Sequence, residues 1–259
     1  MTETAVETLP FYFCVRGDGF LSLKEQFILN FVEDSRWKYL LNGLRNTLII
    51  TLFALLIGVV IGIIISMIRS TYDKTADEIK KKNVPMYILF SLVNFICKVY
   101  LTVIRGTPVV VQLMIMYFII LVSSNNGVMV ASIAFGINSG AYVAEILRGG
   151  IMSIDVGQFE ASRSLGFNYF QTMAYVIIPQ VFKTVLPTLL NEFIALIKET
   201  SIAGYVGIMD LTKGGDIIRG RTFSAYMPLF AVALIYLVIV MFLTYVVGKV
   251  ERRLRKSER

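Results

Sequence analysis

The sequence predicts an all-α membrane protein whose chain crosses a bilayer five times, and three observations predict it. Of 259 residues, 56% are apolar and 17% charged, against about 45–50% and about 25% in an average soluble domain. The apolar residues gather in uncharged runs, several near the roughly 20 residues a helix needs to span a bilayer core of about 30 Å. The formal charge of +7 falls largely between and after these runs, the placement of basic loops at an anionic membrane surface rather than of a nucleic-acid interface. The chain has no His and only two cysteines, Cys14 and Cys97. His-based triads and metal sites, imidazole pH sensing and a disulfide framework are thereby excluded, and no metal site is expected.

In chain order, residues 1–40 form an extracytoplasmic or interfacial segment. It lacks the basic start, apolar core and small-residue cleavage site of a signal peptide. Trp37, Tyr39, Leu40, Leu41 and Leu44 suit a short amphipathic helix at the membrane interface. The first span, about residues 45–69, contains the uncharged run Thr47–Ile68, in which Gly58 and Gly62 are spaced for close helix contact in lipid. Met86–Val122 is too long for one straight span and too short for two with a loop. Lys98 and Arg105 interrupt it, and Arg105-Gly106-Thr107-Pro108 reads as a break. Residues 86–101 are read as an interfacial or re-entrant lead-in and about 100–122 as the second span. The alternative makes 86–101 a sixth span and leaves Val109–Val122 to cross alone. The third span, about 128–148, follows the uncharged loop Ser123–Gly127. The fourth, about 181–203, carries charges, and the fifth is about 223–247.

Charge placement sets the orientation. Arg69–Lys82 holds five Lys/Arg and the tail Gly248–Arg259 holds six, whereas Ser123–Gly127 holds none. The first loop and the basic tail, residues 251–259, are therefore expected in the cytoplasm and the N-terminus outside. Lys198–Arg221, with four Lys/Arg on the outer side, runs mildly against this rule.

Ionisable groups inside spans are costly and usually face a cavity or a partner. At about 100° per residue, Thr184, Thr188, Asn191, Glu192, Ala195, Lys198 and Glu199 fall within an arc of about 120° on the fourth span, opposite Leu186, Leu189, Leu190, Phe193, Ile194, Leu196 and Ile197. Asn138, Tyr142 and Glu145 make a smaller stripe on the third span. These residues line a route for a polar solute, or they form a network that joins helices. For a zwitterion, Glu192 and Glu145 would meet an ammonium, while Asn191, Asn138, Tyr142 and Thr188 would supply hydrogen bonds. Arg105 would meet a carboxylate or hold backbone groups at the break.

Between the third and fourth spans, Phe159, Ala161, Ser162 and Leu165 form one face at helical spacing. Gly166 ends the helix, and Phe167, Tyr169 and Phe170 present an aromatic knob. Such an element suits docking into a groove of a soluble partner, or it rests on the bilayer as an ordinary amphipathic loop helix.

Glu160-Ala161-Ser162, Gly166 and Pro179 resemble the EAA loop of type I ATP-binding-cassette importer permeases, with Ser162 and Ile178 as mild departures. Five further strings are similar to the polar amino-acid branch, which handles histidine, glutamine, glutamate, arginine and opines. They are Leu41-Asn42-Gly43-Leu44-Arg45-Asn46-Thr47-Leu48, Arg105-Gly106-Thr107-Pro108 with Gln112, Ser139-Gly140-Ala141-Tyr142-Val143-Ala144-Glu145, Arg148-Gly149-Gly150-Ile151 and Lys198-Glu199-Thr200-Ser201. The resemblance implies a type I transmembrane domain over residues 41–250, in a multi-pass protein of the cell membrane. It implies a second permease subunit, identical or related, two cytoplasmic ATPase subunits that bind ATP and Mg, and an extracytoplasmic solute-binding protein. It also implies that about residues 155–171 form the coupling helix, with Glu160, Ala161, Ser162, Gly166, Phe167, Tyr169 and Phe170 meeting the ATPase. No phosphate-cradling Gly-x-x-x-x-Gly-Lys-Ser/Thr loop is present, so the chain is expected to be no enzyme and to bind no cofactor. A passive channel or sensor using the same polar stripe is the competing reading. A membrane hydrolase is the weakest, because no Ser sits in a Gly-x-Ser-x-Gly setting.

Overall fold

The computed structural model describes Val15–Arg16, Gly19–Phe20 and residues 22–256. Cys14, most of the expected N-terminal segment before Ser22 and the end of the basic tail lie outside the described residues. Val15–Arg16 (β1) and Gly19–Phe20 (β2) pair antiparallel, with Val15 opposite Phe20. The remaining regular elements are helices: α1 (Leu23–Phe27), α2 (Trp37–Lys82), α3 (Val84–Gly106), α4 (Val109–Ile115), α5 (Gly127–Met152), α6 (Val156–Ser164), α7 (Tyr169–Thr172), α8 (Ile178–Glu199), α9 (Leu211–Thr222) and α10 (Tyr226–Lys256). Wider turns continue α4 through Met116–Ile120 and join α7 to α8 through Met173–Ile177. Among the described residues, five helical stretches are long and apolar enough to cross a membrane: Trp37–Lys82, Val84–Gly106, Gly127–Met152, Tyr169–Val206 and Tyr226–Leu254.

Two boundaries differ from expectation. Trp37, Tyr39, Leu40, Leu41 and Leu44 are not a separate interfacial helix but the first turns of α2. The expected boundary near residue 100, between lead-in and second span, is not there either. Asn83 caps α3, its side chain accepting from Met86 N at 3.1 Å, and Pro85 lies in the first turn, where its missing N–H costs nothing. The helix then runs unbroken through Lys98, whose side chain is exposed, to an extended Thr107 and Pro108. Position 100 is therefore mid-helix, and the break lies at residues 107–108, after which α4 is a shorter apolar helix.

The chain divides into two compact units, one built from the described residues up to Leu48 with Ser201–Met241, the other from Ile49–Thr200 with the chain after Met241. In the first, Phe31, Leu40, Leu211, Ile218 and Val232 form the core. The segment leading into α9 lies directly on α2. Asn46 Nδ2 donates to Met209 O at 2.8 Å, Thr47 Oγ1 accepts from Leu211 N at 3.1 Å, and a Cβ at Gly43 would come 2.3 Å from Asp210 O. The chain before α2 is tied to the α9–α10 corner through Asn30, which accepts from Thr222 Oγ1 at 2.8 Å.

In the second unit, α2 and α5 run side by side with small residues at the crossing. A Cβ on Gly62 would sit 2.4 Å from Val143 Cγ1, and one on Gly140 would sit 2.8 Å from Ile61 Cγ2. Ile65, Cys97, Leu101, Ala141 and Ala144 pack α2, α3 and α5 together, and Ile151, Met173, Ile177, Val181 and Val185 pack α5 against the chain entering α8. α2, with 46 residues, is about 69 Å long at 1.5 Å per residue. Its end, Arg69–Lys82, thus projects about 20 Å beyond the uncharged run.

Gly62→Leu forces side-chain volume into the α2–α5 crossing. It is expected to destabilise the detergent-solubilised protein by about 1–3 kcal/mol. Gly149→Ala, where an added Cβ meets nothing within 4 Å, is expected to leave thermal unfolding unchanged or slightly raised.

Asp210 yields a second prediction. It caps α9 and is fully buried, with Oδ1 accepting from Lys213 N at 2.6 Å and Oδ2 unpartnered. Burial pushes its carboxyl from 3.8 up to about 6. The folded state therefore favours the protonated acid, so this contribution to stability is full below 3.8 and is lost as pH rises through about 6. At neutral pH the cost of the buried charge is on the order of 3 kcal/mol. Asp210→Asn keeps the capping acceptor and removes the charge. Unfolding measured across about pH 4–7 is expected to lose this rise toward acid relative to the parent protein.

Candidate functional site

On α8 the expected polar arc is open or half-open among the described residues. Thr184, Thr188, Asn191 and Lys198 are exposed, Glu192, Ala195 and Glu199 are half-buried, and Val181, Val185, Ile194, Leu196 and Ile197 are buried. The side buried on α5 is the edge next to Glu192, where α5 presents glycine: a Cβ on Gly150 would stand 2.3 Å from Val185 Cγ1. Of the expected apolar face, Leu186, Leu189, Leu190 and Phe193 are only half-buried. Glu192 lies next to Ser139 of α5 and within electrostatic reach of Glu199.

The α5 stripe divides into residues with different neighbours. Tyr142 is exposed, but Asn138 is buried and its Nδ2 donates to Gln112 Oε1 at 2.9 Å. Gln112 Nε2 in turn donates to Ile104 O at 2.7 Å and to Thr107 Oγ1 at 2.8 Å. Asn138 thus holds, through Gln112, the carbonyls and hydroxyl freed where α3 breaks before Pro108. That backbone role was one of those expected of Arg105.

Arg105 instead lies 3.8 Å from Glu145 and faces the Tyr142 ring, its Cζ 5.8 Å from the ring centre. Glu145 also meets Arg69 at 3.9 Å and Arg148 at 3.6 Å, and Arg148 meets Asp73 at 3.4 Å. Three guanidiniums and two carboxylates from α2, α3 and α5 therefore converge on one partly buried cluster. The Glu145 carboxylate, expected to await a solute ammonium, has cationic partners of its own. Sequence reading missed Arg69, Asp73 and Arg148 as members. The Glu145–Arg148 spacing of three residues, one helical turn, was the available signal.

The segment after α5 folds as a helix, a reversal and a second helix. Asp155 caps α6, accepting from Gly157 N at 2.6 Å. At its end Gly166 N donates to Arg163 O and Phe167 N to Ser162 O, with Gly166 at φ +84°. This paired closure with a left-handed residue places glycine where a side chain would be strained. Asn168 then caps α7 in a reciprocal pair with Gln171.

The expected single helix over 155–171 is therefore two, and its compact face is smaller than its spacing implied. Ser162 is buried and Phe159 half-buried, while Ala161 is exposed and Leu165, where the chain reverses, is 78% exposed. Glu160 and Phe167 are exposed, Phe170 protrudes at 77% exposure, and Tyr169 turns inward, its hydroxyl 3.3 Å from Thr71 Oγ1. Glu160, Leu165 and Phe170 are thus all exposed among the described residues.

Glu145→Gln removes the carboxylate shared by three arginines. Because Glu145 is 27% exposed, solvent screening reduces the penalty for breaking a buried pair to on the order of 1–2 kcal/mol. A lowered thermal midpoint in detergent, partly recovered in the Glu145→Gln/Arg105→Gln double variant, is the expected result.

Comparison with known proteins gives this geometry a family. Residues 87–256 match the family described as binding-protein-dependent transport system inner membrane component. The glutamine transport system permease protein GlnP of Escherichia coli K12 is 39% identical over 168 residues, 63% of this chain and 77% of that one. The putative glutamine transport system permease protein GlnP of Rickettsia felis is 37% identical over 158 residues, 60% of this chain and 72% of the relative. Among solved structures, an amino acid ABC transporter crystallised with histidines is 36% identical, with a TM-score of 0.71, covering 86% of this chain and 98% of that chain. The MetNI methionine ABC transporter, 20% identical with a TM-score of 0.68 over 86% of this chain and 98% of its own, shares the fold. The chain therefore belongs to the binding-protein-dependent transport system inner membrane component family and is a multi-pass permease subunit of the ATP-binding-cassette class, in which ATP hydrolysis belongs to a separate subunit.

Proposed function

We propose that this chain is the translocating subunit of an ATP-driven importer of a polar amino acid. The observation that carries the substrate class is the likeness to an amino-acid transporter chain along 98% of that chain's length, together with relatives named for glutamine transport. The open polar face of α8, with Thr188, Asn191, Glu192, Lys198 and Glu199, is the proposed lining of the path. Its mixed charge suits a zwitterion, which needs both an anion and hydrogen-bond donors.

The chain works with a second permease subunit, two ATPase subunits and an extracytoplasmic binding protein. The N-terminus lies outside and the basic tail inside, in keeping with the charges of Arg69–Lys82 and Gly248–Arg259. On that orientation α6 and α7 face the cytoplasm as the coupling segment. Glu160, Leu165 and Phe170 dock in a groove of the ATPase, and its opening and closing rocks the spans between two access states.

The test is uptake by the complete complex in sealed vesicles, with a radiolabelled set of amino acids, ATP inside and the binding protein outside. Uptake that requires ATP hydrolysis and both partners is expected; uptake without them would identify a passive pathway. In the same assay Glu160→Lys is expected to lower uptake per ATP about tenfold, equivalent to a docking loss of about 1.4 kcal/mol, with membrane abundance unchanged. Undiminished coupling in that variant would move the coupling role away from α6.

A further inference from the structure

Beyond the uncharged run of α2, the projecting turns Arg69–Lys82 are gripped on two sides. On one side they form a hairpin with α3: the Tyr72 ring lies 5.4 Å from Phe90, and Lys80 Nζ stands 5.6 Å from the centre of the Tyr87 ring. On the other side Thr71, Lys74 and Glu78, spaced three and four apart and so on one helical face, each touch a different part of the α6–α7 segment. Thr71 Oγ1 accepts from the Tyr169 hydroxyl at 3.3 Å, Lys74 Nζ sits 4.6 Å from the centre of the Phe159 ring, and Glu78 Oε1 is 3.6 Å from Arg163. One residue along, Asp73 reaches Arg148 at 3.4 Å and so joins the Glu145 cluster. Between these three walls lies a groove of about 540 Å³, bordered by Ile79, Phe90, Tyr169 and Phe170.

We propose that the projecting end of α2, braced by α3, is a strut that sets the position of the coupling segment through Thr71, Lys74 and Glu78 and carries its movement into the α2–α5 crossing. The inference rests on the coupling role proposed for α6 and α7. The mechanical case is one of continuity. α6 is short, and Gly166 separates it from α7, so neither is rigidly continuous with the other. α2 is a single helix from the strut to Gly62 and Gly58, where it presses on α5 with no room for an added methyl at Gly62. Across the Gly166 reversal α6 also meets the chain entering α8, through Gln180 Nε2 donating to Gln158 Oε1 at 3.4 Å and Phe159 packed in the cluster of Met173 and Ile177, but neither contact reaches the α2–α5 crossing. Contacts at Phe159, Arg163 and Tyr169 span that reversal and bind both of its sides to one rod. Thr71, Lys74 and Glu78 are positioning residues; they act through α6 and α7.

The decisive pair is Glu78 and Arg163, whose side chains are 70% and 57% exposed, so that charge reversal leaves folding intact. The complete transporter, with its ATPase and binding protein, is reconstituted in vesicles. Uptake per ATP hydrolysed is measured for whichever radiolabelled amino acid the parent complex takes up best. Glu78→Arg and Arg163→Glu, each alone, are expected to lower that ratio about two- to fivefold, the range of an exposed ion pair. ATPase co-purification should be unchanged, and the double reversal should restore the ratio. A structural role alone would not move uptake per ATP and would not be rescued by the swap. Two silent single reversals, or a double reversal no better than the worse single, overturns the strut. If Glu160→Lys still uncouples in that event, the coupling reading stands without the strut; if Glu160→Lys is silent as well, the coupling reading itself falls.

Discussion

Close contact between the backbones of α2 and α5 is the constraint on which the rest of the transmembrane unit depends. In lipid, helices gain little from hydrophobic burial against one another, so association rests on packing, and small residues let backbones approach. Gly58, Gly62, Gly136 and Gly140 supply that approach reciprocally: Ser139 and Val143 fill the space at the first two, Ile57 and Ile61 at the others. Because of it α5 is the most enclosed of the five stretches. From this central position it meets each neighbour with a different group. Ile137 O accepts from Tyr100 of α3 at 2.5 Å, Asn138 holds Gln112 of α4 at 2.9 Å, Glu145 faces Arg69 of α2 at 3.9 Å, and Gly150 receives Val185 of α8.

That centrality explains how polar groups are afforded inside an apolar bundle. A helix broken by Pro108 exposes carbonyls that lipid does not satisfy, and such backbone is tolerated only where protein or water replaces the lost bonds. Gln112 answers the break, and Asn138 fixes Gln112. The Arg69–Arg105–Arg148 set would be untenable alone, since like charges at a half-buried site disfavour one another. Glu145 and Asp73 offset it, leaving one formal positive charge among the five groups. The cluster also joins α2, α3 and α5 near the level at which α2 leaves its uncharged run, so it links the packed part of the unit with the projecting strut.

Sequence reading reached the fold class and the exposure of Thr184, Thr188 and Asn191 on α8, because both depend on hydrophobic periodicity and length; it did not place Val181 and Val185 on the side that packs on α5. Gly166 as the end of α6 was equally legible, since only glycine fits the left-handed closure without strain. Two kinds of feature were not. The extent of α3 was obscured because Lys98 interrupts the apolar run in sequence but sits on the helix exterior in space, where it breaks nothing. The partners of Glu145 were obscured because Arg69 and Arg105 lie 76 and 40 positions away, and no local spacing joins them. Only Arg148, one turn along, was within reach of a periodicity argument. Leu165 failed for a related reason: helical spacing assigned it to the face of Phe159 and Ser162, yet it is the residue at which helical geometry stops.

The open face of α8 carries the argument furthest toward function. Its inward side needs no explanation beyond α5, whose glycine accepts Val185. Its outward side leaves Thr184, Thr188 and Asn191 exposed in a row among the described residues, with Glu192 and Glu199 half-covered beside them and the Thr184 hydroxyl turned back to Val181 O at 2.9 Å. Lipid is a poor neighbour for such a row, because each unsatisfied polar group in hydrocarbon is costly. A face of this kind is stable in a bilayer only if water or a second protein surface meets it. Both conditions hold together if a second subunit closes the space and leaves it wet. On the function proposed above, the polar row is half of a passage that a single chain does not complete, with Lys198 at the end of the row.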